Sequence, residues 1–175
     1  MNKVLLFFRF MERDIQGIPH FDNSFVKDIW DTIKPESYDD LLKLIGLAHS
    51  TNIWKNNAEI LFNEHRMSLR EIPAYREDLY NMISERLYKK GIYDGGFAYE
   101  VTDKTMRGYY SRTGGVDEDT MLALLELGFD MDFIYFLSAI NYMFTKAQGI
   151  AYLREAIAMM FYKTKFNKEY NDIML

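Results

Sequence analysis

Apolar residues in this chain recur at three- and four-residue spacing almost from end to end, and the breaks between runs carry helix-start and helix-stop chemistry. Phe25, Val26, Ile29, Trp30 and Ile33 form one helical stripe. Asp22, Asn23 or Ser24 stands before it to cap the first turn, and Pro35 stops it. Ser37 with Asp40 has the form of a capping box, opening a second helix that buries Tyr38, Leu41, Leu42 and Ile45 and ends at Gly46. A third helix is expected over 56–66. Ser68-Leu69-Arg70-Glu71 repeats the capping-box pattern, but Pro73 leaves room only for a short turn.

The remainder reads the same way. Tyr75 to Lys90 is amphipathic, with Tyr75, Leu79, Met82, Ile83 and Leu87 on one face and Lys89-Lys90-Gly91 as its end. Asp94 to Tyr110 is expected as one helix, and Arg112-Thr113-Gly114-Gly115 as a loop. Asp117-Glu118-Asp119 opens a helix closed by Gly128; Asp130 or Asp132 opens the next, carrying Ile134, Leu137, Ile140 and Phe144; Thr145 to Lys165 forms a long last helix. Residues 3–10 fit a strand or a helix. No strand-turn-strand signal occurs elsewhere. The fold class is therefore all-α: one irregular domain over 1–175, with about seven to nine helices.

Composition narrows the function classes. Hydrophobic residues make up 49% of the 175, including thirteen Phe, thirteen Tyr and eleven Met, enough to bury a core. With no cysteine, disulfides and thiolate metal sites are excluded, which fits a reducing compartment. The apolar run after Met1 is too short for a signal peptide, and nothing approaches the apolar length of a membrane span. A cytoplasmic protein is expected. The net charge of −5 counts against general phosphate binding, which depends on Lys and Arg, and suits a basic protein partner or a groove that normally holds nucleic acid.

Sites for chemistry are scarce. The three histidines, His20, His49 and His65, do not pair at the spacing that places two ligands on one helix face. Asp28 with Asp31, Asp39 with Asp40, and Asp117 to Asp119 sit at expected helix starts or on solvated faces. Two-metal chemistry instead needs acids converging on ions about 4 Å apart. Gly95-Gly96 and Gly114-Gly115 lack the lysine and spacing of a phosphate loop. No catalytic residue, metal ligand or cofactor is expected. Lys163, Lys165 and Lys168 alternate with Tyr162, Phe166 and Tyr170, a pattern able to track a nucleic-acid strand. The plainer reading is a helix end with cations on its dipole and aromatics packed inward.

A series of short segments carries a family resemblance. In order they are Gly17-Ile18-Pro19-His20-Phe21, Thr32-Ile33-Lys34-Pro35, Ile45 to Trp54 (Ile-Gly-Leu-Ala-His-Ser-Thr-Asn-Ile-Trp), and Tyr142 to Tyr152 (Tyr-Met-Phe-Thr-Lys-Ala-Gln-Gly-Ile-Ala-Tyr). Over about 17–170 the chain resembles the fingers region of PolC-type DNA polymerase III alpha subunits. The resemblance implies a helical region that touches nucleotide and template while a separate palm domain holds the metal-binding acids. Carried over residue by residue, it marks His49, Thr51, Lys146, Tyr152, Lys163 and Lys165 as candidates for nucleotide or DNA contact.

The departures fall on those same segments. Gln148 stands where the family has histidine, Thr145 where it has proline, and Ala158 where it has an arginine in the last helix. Ser50 and Asn52 replace the glycine and aspartate of the upstream motif. The family's acidic palm motif, Pro-Asp-Ile-Asp, does not occur in the sequence. The expectation is a non-catalytic fingers-like domain that binds a macromolecule. Its expected partner is a protein, a nucleic-acid enzyme of the replication machinery or a CRISPR nuclease, met by a modulator from a phage or mobile element. The alternative is a DNA-binding module or one piece of a split polymerase.

Overall fold

Asp40 donates its backbone N–H to the Ser37 hydroxyl at 3.1 Å, and the Asp40 carboxylate accepts from the Ser37 N–H at 3.0 Å, so the capping box is reciprocal. It opens the second helix of a computed structural model that describes residues 15–64 and 66–174. Among these residues all regular structure is helical: α1 Ser24–Ile33, α2 Tyr38–His49, a π-turn Trp54–Ala58, α3 Glu59–Asn63, α4 Arg76–Lys89, α5 Gly96–Met106, α6 Tyr109–Thr113, α7 Glu118–Glu126, α8 Met131–Ala139, α9 Lys146–Lys165 and α10 Asn167–Met174. The expectations for residues 3–10 and for His65 lie outside the described residues.

Local chemistry accounts for most boundaries. The Asn23 side chain accepts from the Val26 N–H, Asp117 from Thr120 and Asp130 from Phe133, so α1, α7 and α8 begin at side-chain caps. The Glu71 carboxylate accepts from the Ser68 N–H at 2.8 Å, which holds it below the usual carboxylate range and closes the short turn before Pro73.

Four expected boundaries are corrected. Gly46 does not end α2, which continues to His49; a Cβ there would meet the Ala74 carbonyl oxygen at 2.7 Å, so this glycine serves close packing. The expected helix from Asp94 to Tyr110 is two, because Gly108 takes φ 65 between α5 and α6. The expected third helix is a π-turn followed by α3, since Asn56 (φ 59) breaks the run. Arg112 and Thr113, expected in a loop, close α6, and Gly114 (φ 91) and Gly115 (φ 132) beyond them take positive φ.

The chain divides into two compact units. The first comprises Met1–Ile45 and Ala147–Leu175. Its buried residues include Ile18, Phe21, Val26, Ile29, Leu41 and Leu44, with Leu153, Ala156, Met160 and Tyr170 from α9 and α10. The second comprises Gly46–Lys146, with Ile53, Tyr75, Leu79, Ile83, Tyr110, Leu124 and Phe136 buried.

Candidate functional site

Within the second unit, the segment following α2 is laced to the segment preceding α9. Ser50 is buried, and its hydroxyl accepts from the Phe144 N–H at 3.0 Å. The Thr51 carbonyl accepts from the Asn141 N–H at 3.2 Å. Asn57, inside the π-turn, donates from Nδ2 to the carbonyls of Asn52 (3.0 Å) and Phe136 (3.1 Å). Asn52 and Asn56 both take φ 59, a region Asn enters at lower cost than most residues. Two motifs about ninety residues apart in sequence thus meet through hydrogen bonds to backbone groups.

His49 and Lys146 join this junction. The half-buried His49 ring lies 6.1 Å from the Phe144 ring. The Lys146 backbone N–H, at the start of α9, donates to the Glu77 carboxylate at 2.7 Å, and the Lys146 ammonium donates to Asp78 at 3.1 Å. A helix N-terminus with a lysine beside it is a ready anion site. Here two carboxylates from the first turn of α4 occupy both donors.

Tyr152, Lys163 and Lys165 belong to the first unit. The Tyr152 ring stacks on His20 at 3.8 Å, and His20 Nε2 lies 3.2 Å from the Glu155 carboxylate. Lys163 is 4% exposed and donates to the Gln16 carbonyl at 2.6 Å. Tyr170 donates its hydroxyl to the neighbouring Gly17 carbonyl at 2.5 Å. Lys165 is exposed. The plainer reading of this basic–aromatic run needs correction: only Tyr170 packs inward, while Tyr162 and Phe166 are each 52% exposed. Buried Lys163 is a structural clasp on the backbone at 16, and its ammonium is withdrawn from any strand passing over the surface.

Another charged cluster of the second unit surrounds buried Tyr110. Burial pushes the Tyr110 phenol up to about 12, against a downward pull from Lys104. Lys104 is held above the usual lysine range by its hydrogen bond to Glu100. At Asp117 burial works upward, but hydrogen bonds from Thr120 and the charge of Lys104 outweigh it and leave the carboxyl low. Among the described residues no group of three His, Asp or Glu is placed to hold a metal ion. No described helix is long and apolar enough to cross a membrane.

Sequence reasoning gave no site role to Glu77, Asp78 or Asn57 and named Ser50 only as a departure from the family's glycine. Glu77 and Asp78 stand at the start of α4, and their reach to Lys146 has no local signal.

Comparison with known proteins decides the family. Residues 3–91 match the model of the bacterial DNA polymerase III alpha subunit finger domain. The chain belongs to that finger-domain family. Relatives described as DNA polymerase III PolC-type include proteins of Mycoplasma genitalium (31% identical, covering 84% of this chain), Caldanaerobacter subterraneus (29%, 86%) and Thermotoga maritima (28%, 89%). The similarity covers 9%, 10% and 11% of those relatives, so the chain spans about a tenth of their length. What it shares with the PolC-type enzymes is a fingers region, and that region is all-α as the motifs imply.

Proposed function

We propose that this finger domain acts without chemistry of its own, as a binding module whose partner is a nucleic-acid enzyme. The observation that carries this reading is the engagement of Lys146 by Asp78 and of the α9 N-terminus by Glu77, at 3.1 Å and 2.7 Å. A phosphate approaching this point competes with the chain's own carboxylates. The buried Lys163 adds support, since it is satisfied by the Gln16 carbonyl. The net charge of −5 suits a surface built to receive nucleic acid, in the replication machinery or in a CRISPR nuclease, and on this reading the chain works in the cytoplasm as a modulator. Primer extension by a purified PolC-type polymerase, with the chain titrated in, tests the replication branch. A dose-dependent change in extension rate supports it, and an unchanged rate at large excess rejects that branch.

One observation favours a second reading, a DNA-binding module of the kind used in a split polymerase. Tyr162 and Phe166 stand exposed with their rings 6.3 Å apart, beside exposed Lys165 and Lys168. Aromatic faces interleaved with cations suit bases and phosphates. Anisotropy with primer-template DNA separates the readings: salt-sensitive binding lost in Tyr162→Ala/Phe166→Ala supports the second, and no binding at low salt rejects it.

A further inference from the structure

Helix α7 presents an outer face that its own stability does not explain. Glu118, Asp119, Leu122, Leu125 and Glu126 are all exposed, Leu122 by 51%. Spacings of three and four residues put them on one face, away from buried Thr120 and Leu124. Glu118 and Asp119 open the helix, where the positive end of the dipole favours acids. Glu126 closes it, where the dipole favours a cation, and no basic residue stands in that last turn. None of these three acids makes an ion pair among the described residues.

The charge of this region has one sign. Between Arg112 and Lys146 the sequence carries Asp117, Glu118, Asp119, Glu126, Asp130 and Asp132, and no Lys, Arg or His. Of the chain's 26 acids and 21 cations, that leaves 20 and 21 elsewhere, so the whole net charge of −5 arises from this stretch. Cations of other elements reach it at three points. Lys104 lies 3.9 Å from Asp117, and Arg66 lies 2.8 Å from Asp132. Arg86 donates to the Leu127 carbonyl and covers the Phe129 ring, without pairing with Glu126.

Sign decides the occupant. Nucleic acid, an anionic membrane and a second copy of the same face are each repelled. A divalent cation needs several converging oxygens, and among the described residues no group of three His, Asp or Glu is so placed. A cationic protein segment with apolar side chains for Leu122 and Leu125 is complementary in both respects. We propose that α7 docks a basic amphipathic helix of a partner protein. The apolar residues of that helix lie against Leu122 and Leu125, and its Lys or Arg residues meet Glu118, Asp119 and Glu126. This docking face deepens the reading of a protein partner and rests on it.

Anisotropy of a labelled leucine–lysine amphipathic peptide of about 14 residues, long enough to overlay α7, tests it. The full chain should bind the peptide at low salt, and more weakly as salt rises. Glu118→Lys/Asp119→Lys/Glu126→Lys should weaken binding by about tenfold or more. Asp28→Lys/Asp31→Lys/Glu36→Lys makes the same change of charge on exposed acids of the first unit and should weaken it by less than about twofold. Leu122→Ser/Leu125→Ser, with charge unchanged, should weaken it by about threefold or more. Glu126→Lys alone should weaken binding without lowering the urea midpoint, since a cation suits that helix end. Urea denaturation establishes that each variant folds. Absence of binding at low salt overturns the proposal. So do equal losses in the two triple variants, which would mean net charge alone, and an unaffected serine pair. Primer extension separates this surface from the reading it rests on. An effect on extension that survives the α7 charge reversal overturns the surface and keeps the reading. Peptide bound at α7 by a chain that leaves extension unchanged supports the surface and rejects the replication branch.

Discussion

The Lys146 ammonium donates to the Asp78 carboxylate across 3.1 Å while the Lys146 backbone N–H donates to Glu77, so one residue's charge and its helix-terminal donor are both met by adjacent acids of α4. The Lys146 side chain is 45% exposed, so water screens the ion pair and it contributes under about 1 kcal/mol. Its larger consequence concerns anions. Asp78→Asn combined with Glu77→Gln keeps the hydrogen-bonding shapes and removes both negative charges. Affinity for primer-template DNA at low salt should rise by about threefold to tenfold, read by anisotropy. Urea denaturation should move little. An unchanged affinity means Lys146 is not held back by these acids.

Lys163 and Lys165 stand two residues apart on α9 and should behave oppositely. Lys163→Met keeps the buried stem but leaves the Gln16 carbonyl without this donor, a loss of about 1 to 3 kcal/mol in urea denaturation. DNA affinity should not follow. Lys165→Met should leave stability within about 0.5 kcal/mol, since the side chain is exposed, and any effect should appear in DNA binding alone. A Lys163 variant of full stability would remove the clasp from the account.

Sequence punctuation located the helices because caps are local. Ser37 with Asp40, Asn23, Asp117 and Asp130 each act within three or four residues of themselves. The candidate site was legible only as a set of names. That His49, Thr51 and Lys146 share one junction depends on Ser50 reaching Phe144 and Asn57 reaching Phe136, contacts across 94 and 79 residues. The inward turn of Lys163 depends on the backbone at 16, so its spacing within a basic run pointed to solvent instead. Gly46 misled for the same reason: glycine signals a stop locally, but here it answers a neighbour at Ala74.

Gly46→Ala tests that last point. Alanine improves helix propensity by about 1 kcal/mol and should stabilise an unobstructed α2. Here the new Cβ would lie 2.7 Å from the Ala74 carbonyl oxygen and 2.8 Å from Tyr75 Cζ, and backbone cannot yield cheaply. The expected result is net destabilisation of about 1 to 3 kcal/mol by urea denaturation. A gain in stability would show that α2 can shift away from residue 74.

Alkaline pH should expose the burial of Tyr110. Its phenol is raised to about 12 in the folded chain, against an ordinary value near 10. Both states keep the phenol protonated below about pH 10, so its full contribution is present there. Above that, the unfolded chain loses the proton first, and stability falls as pH rises through the folded value near 12. Ultraviolet titration of tyrosinate should show a late-ionising component. In Tyr110→Phe that component and the stability loss between about pH 10 and pH 12 should shrink. Asp117 and Glu71, both held low, work at the other extreme: each contributes above its unfolded value near 4, and that contribution is lost as pH falls through the lower folded value. A Tyr110→Phe variant whose alkaline unfolding matches the parent would mean that other groups set the alkaline limit.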